Sequence, residues 1–217
     1  MEQSNGDQTL SRKERERIVR QQEILKAARD LFVRKGYHET TLDEIASHAE
    51  FGKGTIYNYF SSKEDLFYGI LDQTADELFG LIRTALAVPG TTREKFTAYA
   101  RAIIDNARVN SDLFRLFIQE FHRSSFPDYE KKINHMREKT EVILDLVAQP
   151  VEEEIRTGSI KPYDAKQLVS LFDGMLRGYC FNFIQDNILT QSDDVDTLAT
   201  QIVSVFFDGI TEPKFKG

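Results

Sequence analysis

The chain has 217 residues, 41% of them hydrophobic and 29% charged, with five prolines, which suits a globular protein and excludes a disordered or fibrous one. Cys180 is the single cysteine, so no internal disulfide can form, and no Cys/His spacing is typical of a zinc site. We therefore expect no metal and no cofactor, a cytoplasmic location, no secretion signal in the polar residues 1–9, and no membrane span.

The charges are distributed unevenly along the chain. The net charge of −7 argues against nonspecific nucleic-acid binding by the whole surface, because affinity for DNA comes largely from basic groups. Between Arg12 and Lys35, however, there are nine basic and four acidic residues, whereas the chain after Phe60 is net acidic. One end is therefore predicted to approach DNA. Ser11 to Arg20 are either a solvated, frayed helix end or a basic arm that follows the DNA backbone or minor groove.

Apolar residues recur at helical spacing, and no sustained strand-type alternation is present, which predicts an all-α protein of about nine helices. Caps mark the helix ends: Gly36 accepts the left-handed conformation that follows many helices, and Thr41 with Glu44 forms a capping box. Pro150 is expected to kink or split the seventh helix. The helices are predicted at about 15–35, after Thr41, at 53–59, 62–86, 91–109 and 111–121, then, beyond a loop at 122–126, from Pro127 to Gly158, and at 164–187 and 194–210.

Three short helices joined by tight turns suit a helix-turn-helix headpiece, in which the third helix enters the major groove of DNA. Gly54 allows close approach of the backbone to the duplex, and Thr55 suits a base edge or a thymine methyl group. Tyrosine hydroxyls suit phosphates, and Lys63 adds a cation at a helix N-terminus, where backbone N–H groups already favour anions. The alternative is a compact helical turn with core tyrosines and solvated lysines.

The segments TTLDEIA at 40–46, KGTIYNYF at 53–60 and SKEDL at 62–66 together resemble the DNA-binding signature of TetR-type repressors. The resemblance implies a headpiece over residues 1–66 and an effector-binding and dimerisation domain over residues 67–217. It implies that the headpiece is held together by Leu42, Ile45, Phe51, Ile56 and Phe60. The predicted DNA contacts are Thr41, Lys53, Gly54, Thr55, Tyr57, Tyr59 and Lys63.

Two residues of the turn depart from the family pattern. TetR-type proteins usually place glycine and then serine where this chain has Glu50 and Gly52. Glu50 is therefore expected to adopt the backbone geometry that glycine normally supplies, and the third helix must be capped without a serine hydroxyl. The family's usual histidine is replaced by Tyr59, which can also donate to a phosphate.

The half of the chain after Leu71 is rich in aromatic residues, which suits an apolar ligand cavity between helices, although packed core is the alternative for each of them. The resemblance implies an effector domain here but does not name its ligand. An apolar lining favours a hydrophobic or aromatic effector, such as an acyl thioester or a hydrophobic toxicant. An anionic head on it can pair with Arg115, Arg123, Arg137 or Arg177. The predicted pocket residues are Phe117, Phe121, Met136, Phe172, Arg177 and Phe181.

The last two helices carry broad apolar stripes that need a partner. Gly174 and Gly178 lie four residues apart, so two helices can approach closely on that face. The resemblance implies a homodimer through a four-helix bundle, and an intramolecular packing face is the alternative. The predicted interface residues are Leu171, Gly174, Met175, Gly178, Ile202 and Phe206.

Chemistry-bearing residues outside these regions do not favour an enzyme. We interpret His38, His48, His122 and His135 as surface residues and Cys180 as an inert buried thiol. The sequence predicts a ligand-responsive transcriptional regulator, in its commonest form a homodimeric repressor that an effector releases from a palindromic operator in double-stranded DNA. The alternatives are an activator or corepressed regulator, a ligand-binding or scaffold protein, and a helical enzyme that uses the cavity.

Overall fold

The structure, a computed structural model, describes residues 11–121, 129–185 and 194–210, without the side chains at 121, 129–133, 185, 209 and 210. Within these ranges the chain forms nine helices and no strand, which confirms the all-α prediction. The helices are α1 (Arg12–Lys35), α2 (Leu42–His48), α3 (Lys53–Tyr57), α4 (Lys63–Ala87), α5 (Thr92–Val109), α6 (Ser111–Phe121), α7 (Tyr129–Arg156), α8 (Ala165–Gln185) and α9 (Val195–Ile210).

Most helix ends follow the caps that the sequence predicts. The amide N–H of Glu44 donates to the Thr41 hydroxyl at 3.2 Å, and the Glu44 carboxylate accepts from the Thr41 amide at 2.9 Å. Gly36 ends α1 with a φ of 92°. The predicted loop at 122–126, and Pro127 after it, lie outside the described residues.

Helix α7 continues through Pro150. The helix runs without a break from Tyr129 to Arg156, so the proline does not split it, and a kink there stays a prediction. A proline inside a helix removes one backbone hydrogen bond and costs about 3 kcal/mol. The side chains of Val147, Ala148 and Val151 next to it are fully buried, and this packing offsets the cost.

The chain divides into two compact units between Leu71 and Asp72, inside α4. The first unit is built from α1, α2, α3 and the first turns of α4, and its core is aromatic at one end. The rings of Phe32, Tyr37 and Phe67 lie 5.3 to 6.1 Å from one another. Burial of such rings supplies much of the stability of a small three-helix unit.

The second unit surrounds α5, which packs against α7, α8 and α9. Phe96 of α5 contacts Phe172 of α8 at a ring-centroid distance of 4.8 Å and Phe207 of α9 at 5.1 Å. Tyr99, one turn further along α5, is fully buried. These residues give the unit one continuous apolar core.

Candidate DNA-binding surface and ligand pocket

The connection between α2 and α3 is a tight turn closed by two backbone hydrogen bonds. The Phe51 amide donates to the Ala46 carbonyl at 2.9 Å, and the Glu50 amide donates to the Ser47 carbonyl at 3.2 Å, the pattern of a Schellman motif. Glu50 has a φ of 58°, which confirms the prediction that it adopts the geometry usually supplied by glycine.

Helix α3 begins without a side-chain cap, as the missing serine predicts. Gly52 is its N-cap and contributes only backbone, with its carbonyl accepting from the Thr55 amide at 2.8 Å. An ion pair holds the N-termini of α3 and α2 together, since Lys53 Nζ lies 2.7 Å from a carboxylate oxygen of Asp43. The hydrogen bond that the Lys53 ammonium donates to the Asp43 carboxylate raises the pKa of Lys53.

One side of α3 faces the core and the other faces solvent. Ile56 is fully buried, whereas Tyr57 is 50% exposed and Gly54 has no atom within 4 Å of an added Cβ. Thr55 and Tyr59 are half-buried. The outer side of the helix is thus open to a partner, and contact of these side chains with DNA stays a prediction.

Thr41 is exposed at the start of α2 and shares a hydrogen-bonded cluster with Glu44 and Lys35. The Thr41 hydroxyl donates to the Glu44 carboxylate at 3.0 Å, and the Lys35 ammonium donates to the same carboxylate. The hydrogen bonds from Lys35 and then Thr41 lower the pKa of Glu44 to about 2. The cluster keeps a negative charge at the N-terminus of α2, where the helix dipole favours it.

Lys63 has a role in the fold that its sequence pattern did not reveal. Its ammonium donates to the carbonyls of Tyr37 at 2.8 Å, His38 at 3.3 Å and Thr40 at 3.0 Å, and lies 4.5 Å from the centre of the Tyr37 ring. These bonds fix the connection between α1 and α2. They use the three N–H donors of a lysine, so the DNA contact predicted for Lys63 has an internal competitor.

A cavity of about 390 Å³ lies in the second unit, between α4, α5, α6 and α8. Three of the residues predicted for an effector pocket line it: Phe117, Arg177 and Phe181. The sequence pattern missed the remaining lining residues because most of them are apolar positions that it does not distinguish from core. The complete lining is Leu78, Ile103, Asn106, Ala107, Phe114, Phe117, Ile118, Arg177, Cys180, Phe181 and Ile184.

The other predicted pocket residues are elsewhere. Phe172 lies in the core, where its ring contacts Phe96 and Phe206, so it is no part of the cavity lining. Met136 lies on α7, outside that lining. The side chain of Phe121 lies outside the described residues. An aromatic stripe predicts burial well, but neighbouring helices decide whether a ring packs in a core or lines a cavity.

A buried polar network lies beside the cavity. Asp173 is buried, its carboxylate accepts from the Tyr99 hydroxyl at 2.6 Å, and Arg177 Nε donates to both of its oxygens at 2.7 and 2.8 Å. Burial raises the pKa of Tyr99 and raises that of the Cys180 thiol to about 11. At neutral pH Cys180 is therefore a protonated, weakly reactive thiol, which agrees with its interpretation as inert.

An apolar stripe of α8 faces solvent in the single chain. Leu171 is 66% exposed, and Gly174, Met175 and Gly178 are exposed with it. On α9, by contrast, the predicted interface residues Ile202 and Phe206 are half-buried and pack partly against the core. The more exposed apolar residue of α9 is Val205, at 73%. Contact of these faces with a second chain stays a prediction.

Other candidate chemistry is sparse in the described ranges. His48 and His135 lie 4.0 and 3.7 Å from single aspartates, and no group of three His, Cys, Asp or Glu side chains there is placed to hold a metal. His122 lies outside the described residues. None of the described helices combines the length and apolarity that a bilayer crossing requires.

Comparison with known proteins identifies relatives of the chain. A sequence model described as bacterial regulatory proteins, tetR family, matches residues 24–69. The transcriptional activator FasR of Mycolicibacterium smegmatis is 30% identical over 134 residues, which are 61% of this chain and 61% of FasR, so the match spans less than two thirds of that protein. The transcriptional regulator YhgD of Bacillus subtilis is 31% identical over 147 residues, 68% of this chain and 75% of YhgD.

Two further similarities cover most of the chain. The transcriptional repressor KstR2 of Rhodococcus jostii is 25% identical over 194 residues, 89% of this chain and 92% of KstR2. The crystal structure of the regulator FadR from Bacillus subtilis, in complex with stearoyl-CoA, matches with a TM-score of 0.70 at 22% identity and covers 87% of this chain and 98% of FadR. At this identity the likeness to FadR is one of fold.

Proposed function

We propose that this chain, which belongs to the TetR family of bacterial regulatory proteins, is a homodimeric repressor that a small lipophilic effector releases from a palindromic operator. Members of the family are DNA-binding transcriptional regulators and not enzymes. The observation that carries the proposal is the capped α2–turn–α3 segment, which buries Ile56 and leaves the other side of α3 open. Such a regulator acts in the cytoplasm, where the bacterial chromosome lies.

The proposed DNA surface consists of the N-terminus of α2, the outer side of α3 with Tyr59 after it, and Lys63 at the N-terminus of α4. Gly54 presents no side chain, so the backbone of α3 can approach base edges closely. Thr55 then reaches a base edge, and the phenolic hydroxyl of Tyr57 reaches a phosphate. The proposed contacts are those of the sequence prediction: Thr41, Lys53, Gly54, Thr55, Tyr57, Tyr59 and Lys63.

Selection of bound sequences from a random pool of duplex DNA tests the DNA-binding half of the proposal. We expect a palindrome whose half-sites are about one helical turn apart, because a two-fold dimer presents two recognition helices. The double variant Thr55→Ala, Tyr57→Ala is expected to lose specific binding and to keep its fold. Tyr163→Ala, which removes an exposed tyrosine of the second unit, is the matched control. Recovery of no motif by the wild-type protein contradicts the proposal.

The proposed dimer forms through α8 and α9. Exposed apolar side chains such as Leu171 and Val205 are costly in water, and a four-helix bundle between two chains covers them. Gly174 and Gly178 allow close approach of the two copies of α8. The proposed interface residues are Leu171, Gly174, Met175, Gly178, Ile202 and Phe206. Light scattering at micromolar concentration is expected to give twice the mass of the chain, and a monomer contradicts the proposal.

The proposed effector site is the cavity of the second unit. Its lining is apolar except for Asn106 and Arg177, which suits a hydrophobic body with one polar head. Asp173 fixes the guanidinium of Arg177 through Nε, and the remaining N–H donors of that group suit an anionic or carbonyl oxygen. The binding of stearoyl-CoA by FadR supports testing acyl thioesters first.

Thermal-shift measurements with acyl thioesters of increasing chain length, free fatty acids and neutral hydrophobic compounds test the site. We expect stabilisation by the lipophilic class. Ala107→Leu, which narrows the cavity, is expected to favour shorter chains, and Arg177→Gln to reduce the preference for anionic heads. Arg83→Gln, an exposed cation of α4, is the control. Uniformly flat responses of the wild-type protein to all three classes contradict a lipophilic effector.

The direction of regulation is a separate question, because the relatives include an activator, FasR, and a repressor, KstR2. In our proposal the effector shifts the population of the dimer towards a state whose recognition helices no longer match the half-sites. In vitro transcription from a promoter that carries the selected palindrome distinguishes a repressor from an activator. Repression that the effector relieves supports our proposal, and stimulation by the protein favours an activator.

A further inference from the structure

The first three turns of α1 form a helix whose residues are all exposed to solvent. Every residue from Ser11 to Glu23 is exposed, and Ile24 is the first buried position. A capping box closes the start of the helix. The Glu14 amide donates to the Ser11 hydroxyl at 3.2 Å, and the Ser11 amide donates to the Glu14 carboxylate at 2.8 Å. The helix therefore begins at Arg12, three residues before its predicted start, and its first turns are exposed to solvent.

This extension is rich in cations. The residues from Ser11 to Glu23, both included, contain five basic and three acidic side chains. One basic residue, Arg12, forms an exposed ion pair with one acidic residue, Glu16, at 2.8 Å. Lys13, Arg17 and Arg20 follow the i, i+4, i+7 spacing that places residues on one side of a helix. We refer to these three residues as the basic α1 face.

One residue of the basic α1 face, Arg17, lies next to Tyr59, which is a predicted DNA contact. The Arg17 guanidinium carbon is 6.0 Å from the centre of the Tyr59 ring, at the range of a cation–π contact. Arg17 is also two turns before the buried Ile24, so this side of α1 faces towards the rest of the first unit. The arrangement places one cation of the extension, Arg17, next to Tyr59, which follows α3.

We infer that the basic α1 face binds the phosphates of the operator that flank the bases read by α3. This inference rests on the proposed function, since it requires α3 to be placed in the groove. A row of exposed cations on a capped helix suits a polyanion, and a preformed helix loses little conformational entropy on binding. Phosphate contacts carry no base information, so this surface adds affinity without changing the preferred sequence.

The same extension is poorly suited to a lipid surface. A helix that lies in a membrane interface needs a continuous apolar side, but here only Ile18 and Val19 are apolar among the exposed turns. Acidic residues at Glu14 and Glu16 interrupt the remaining surface. Charge complementarity therefore favours DNA, and a vesicle of phosphatidylglycerol serves as the competing ligand in the test.

The salt dependence of operator binding measures the number of phosphate contacts. The logarithm of the association constant falls with the logarithm of the salt concentration, with a slope of about −0.9 per neutralised phosphate. We expect the slope of the full-length protein on the selected operator to become shallower by about 0.9 for each of Lys13→Gln, Arg17→Gln and Arg20→Gln. The triple variant should lose the same factor of affinity on specific and nonspecific duplexes.

Four controls separate this effect from others. Circular dichroism checks that the glutamine variants keep their helix, as the helix propensity of glutamine predicts. Arg17→Lys keeps the charge and should keep the slope, and Arg83→Gln removes an exposed cation of the second unit and should leave it unchanged. A duplex trimmed to the bases of the palindrome should remove the difference between the wild-type protein and the triple variant.

The outcomes distinguish this inference from the proposed function. A triple variant with the wild-type slope on a long duplex overturns the inference, while loss of operator binding by the Thr55→Ala, Tyr57→Ala variant still supports the proposed function. If the triple variant loses binding to phosphatidylglycerol vesicles and keeps its DNA slope, the basic α1 face belongs to a membrane surface and the inference is wrong. If the wild-type protein selects no operator, both proposals fail.

Discussion

Four glycines lie on exposed helix faces, with no described atom within 4 Å of the position that a Cβ would take: Gly54, Gly80, Gly174 and Gly178. A glycine inside a helix destabilises it by about 1 kcal/mol relative to alanine. In a chain without partners, alanine at Gly80, Gly174 or Gly178 should therefore raise the free energy of unfolding by about 1 kcal/mol. Any departure from this pattern reports a partner that covers the glycine.

We predict that the substitutions at Gly174 and Gly178 depart from the pattern and that Gly80→Ala does not. In a two-fold dimer each change adds a methyl group to both sides of a close helix contact, and overpacking costs about 1 to 3 kcal/mol. A loss of about 1.4 kcal/mol weakens the dimer about tenfold. Gly80→Ala, on α4, keeps the wild-type dimer and gains about 1 kcal/mol of helix stability.

Sedimentation over a dilution series measures the dimer, and urea unfolding at fixed concentration measures stability. Gly174→Ala and Gly178→Ala should dissociate at about tenfold higher concentration than the wild-type protein. Gly54→Ala should dimerise normally and bind the selected operator more weakly, because its methyl group meets DNA. If all four variants dissociate as the wild-type protein does, the face around Gly174 is not the dimer interface.

Three further changes test the energetics of single sites. Glu50→Gly should raise the free energy of unfolding by about 1 kcal/mol, because it relieves a left-handed conformation that Glu50→Ala retains, and urea titration of both variants checks this. Glu44 has a lowered pKa, so its stabilising contribution is present above its ordinary pKa and is lost as the pH falls through about 2. The melting temperature of Glu44→Gln should consequently fall less than that of the wild-type protein between about pH 4.5 and pH 2, and equal declines contradict this assignment. Tyr99→Phe removes a hydrogen bond to the buried Asp173 carboxylate and should cost about 1.5 to 3 kcal/mol in urea unfolding, whereas no change means that water replaces the hydroxyl.

The helices and their caps were predictable because their signals are local. A capping box needs only Thr41 and Glu44 at the right spacing, and Gly36 ends α1 through its own backbone freedom. The left-handed φ of Glu50 was predictable from the resemblance to TetR-type proteins, which usually place glycine at this position. Residues that interact over three or four positions carry their geometry in their spacing.

The predictions were less accurate at Pro150 and at the start of α1. Proline lowers helix propensity, but buried neighbours such as Val147 and Val151 keep α7 continuous, so tertiary packing overrides the propensity of a single residue there. At the start of α1 the signal was local, because Ser11 and Glu14 have the same capping-box spacing as Thr41 and Glu44, and the helix begins three residues earlier than predicted.

The sequence by itself determined the helical architecture, the family and the exposed side of α3, because helix periodicity and motif spacing are properties of neighbouring residues. Only the tertiary structure decided that Phe172 packs in the core while Phe117 lines a cavity, since both have the same apolar character and differ only in what other helices bring near them. Lys63 shows the same limit, because the carbonyls that bind its ammonium are more than 20 residues away in the chain. Contacts between distant segments depend on how the helices pack, and a single sequence does not encode that packing in any local pattern.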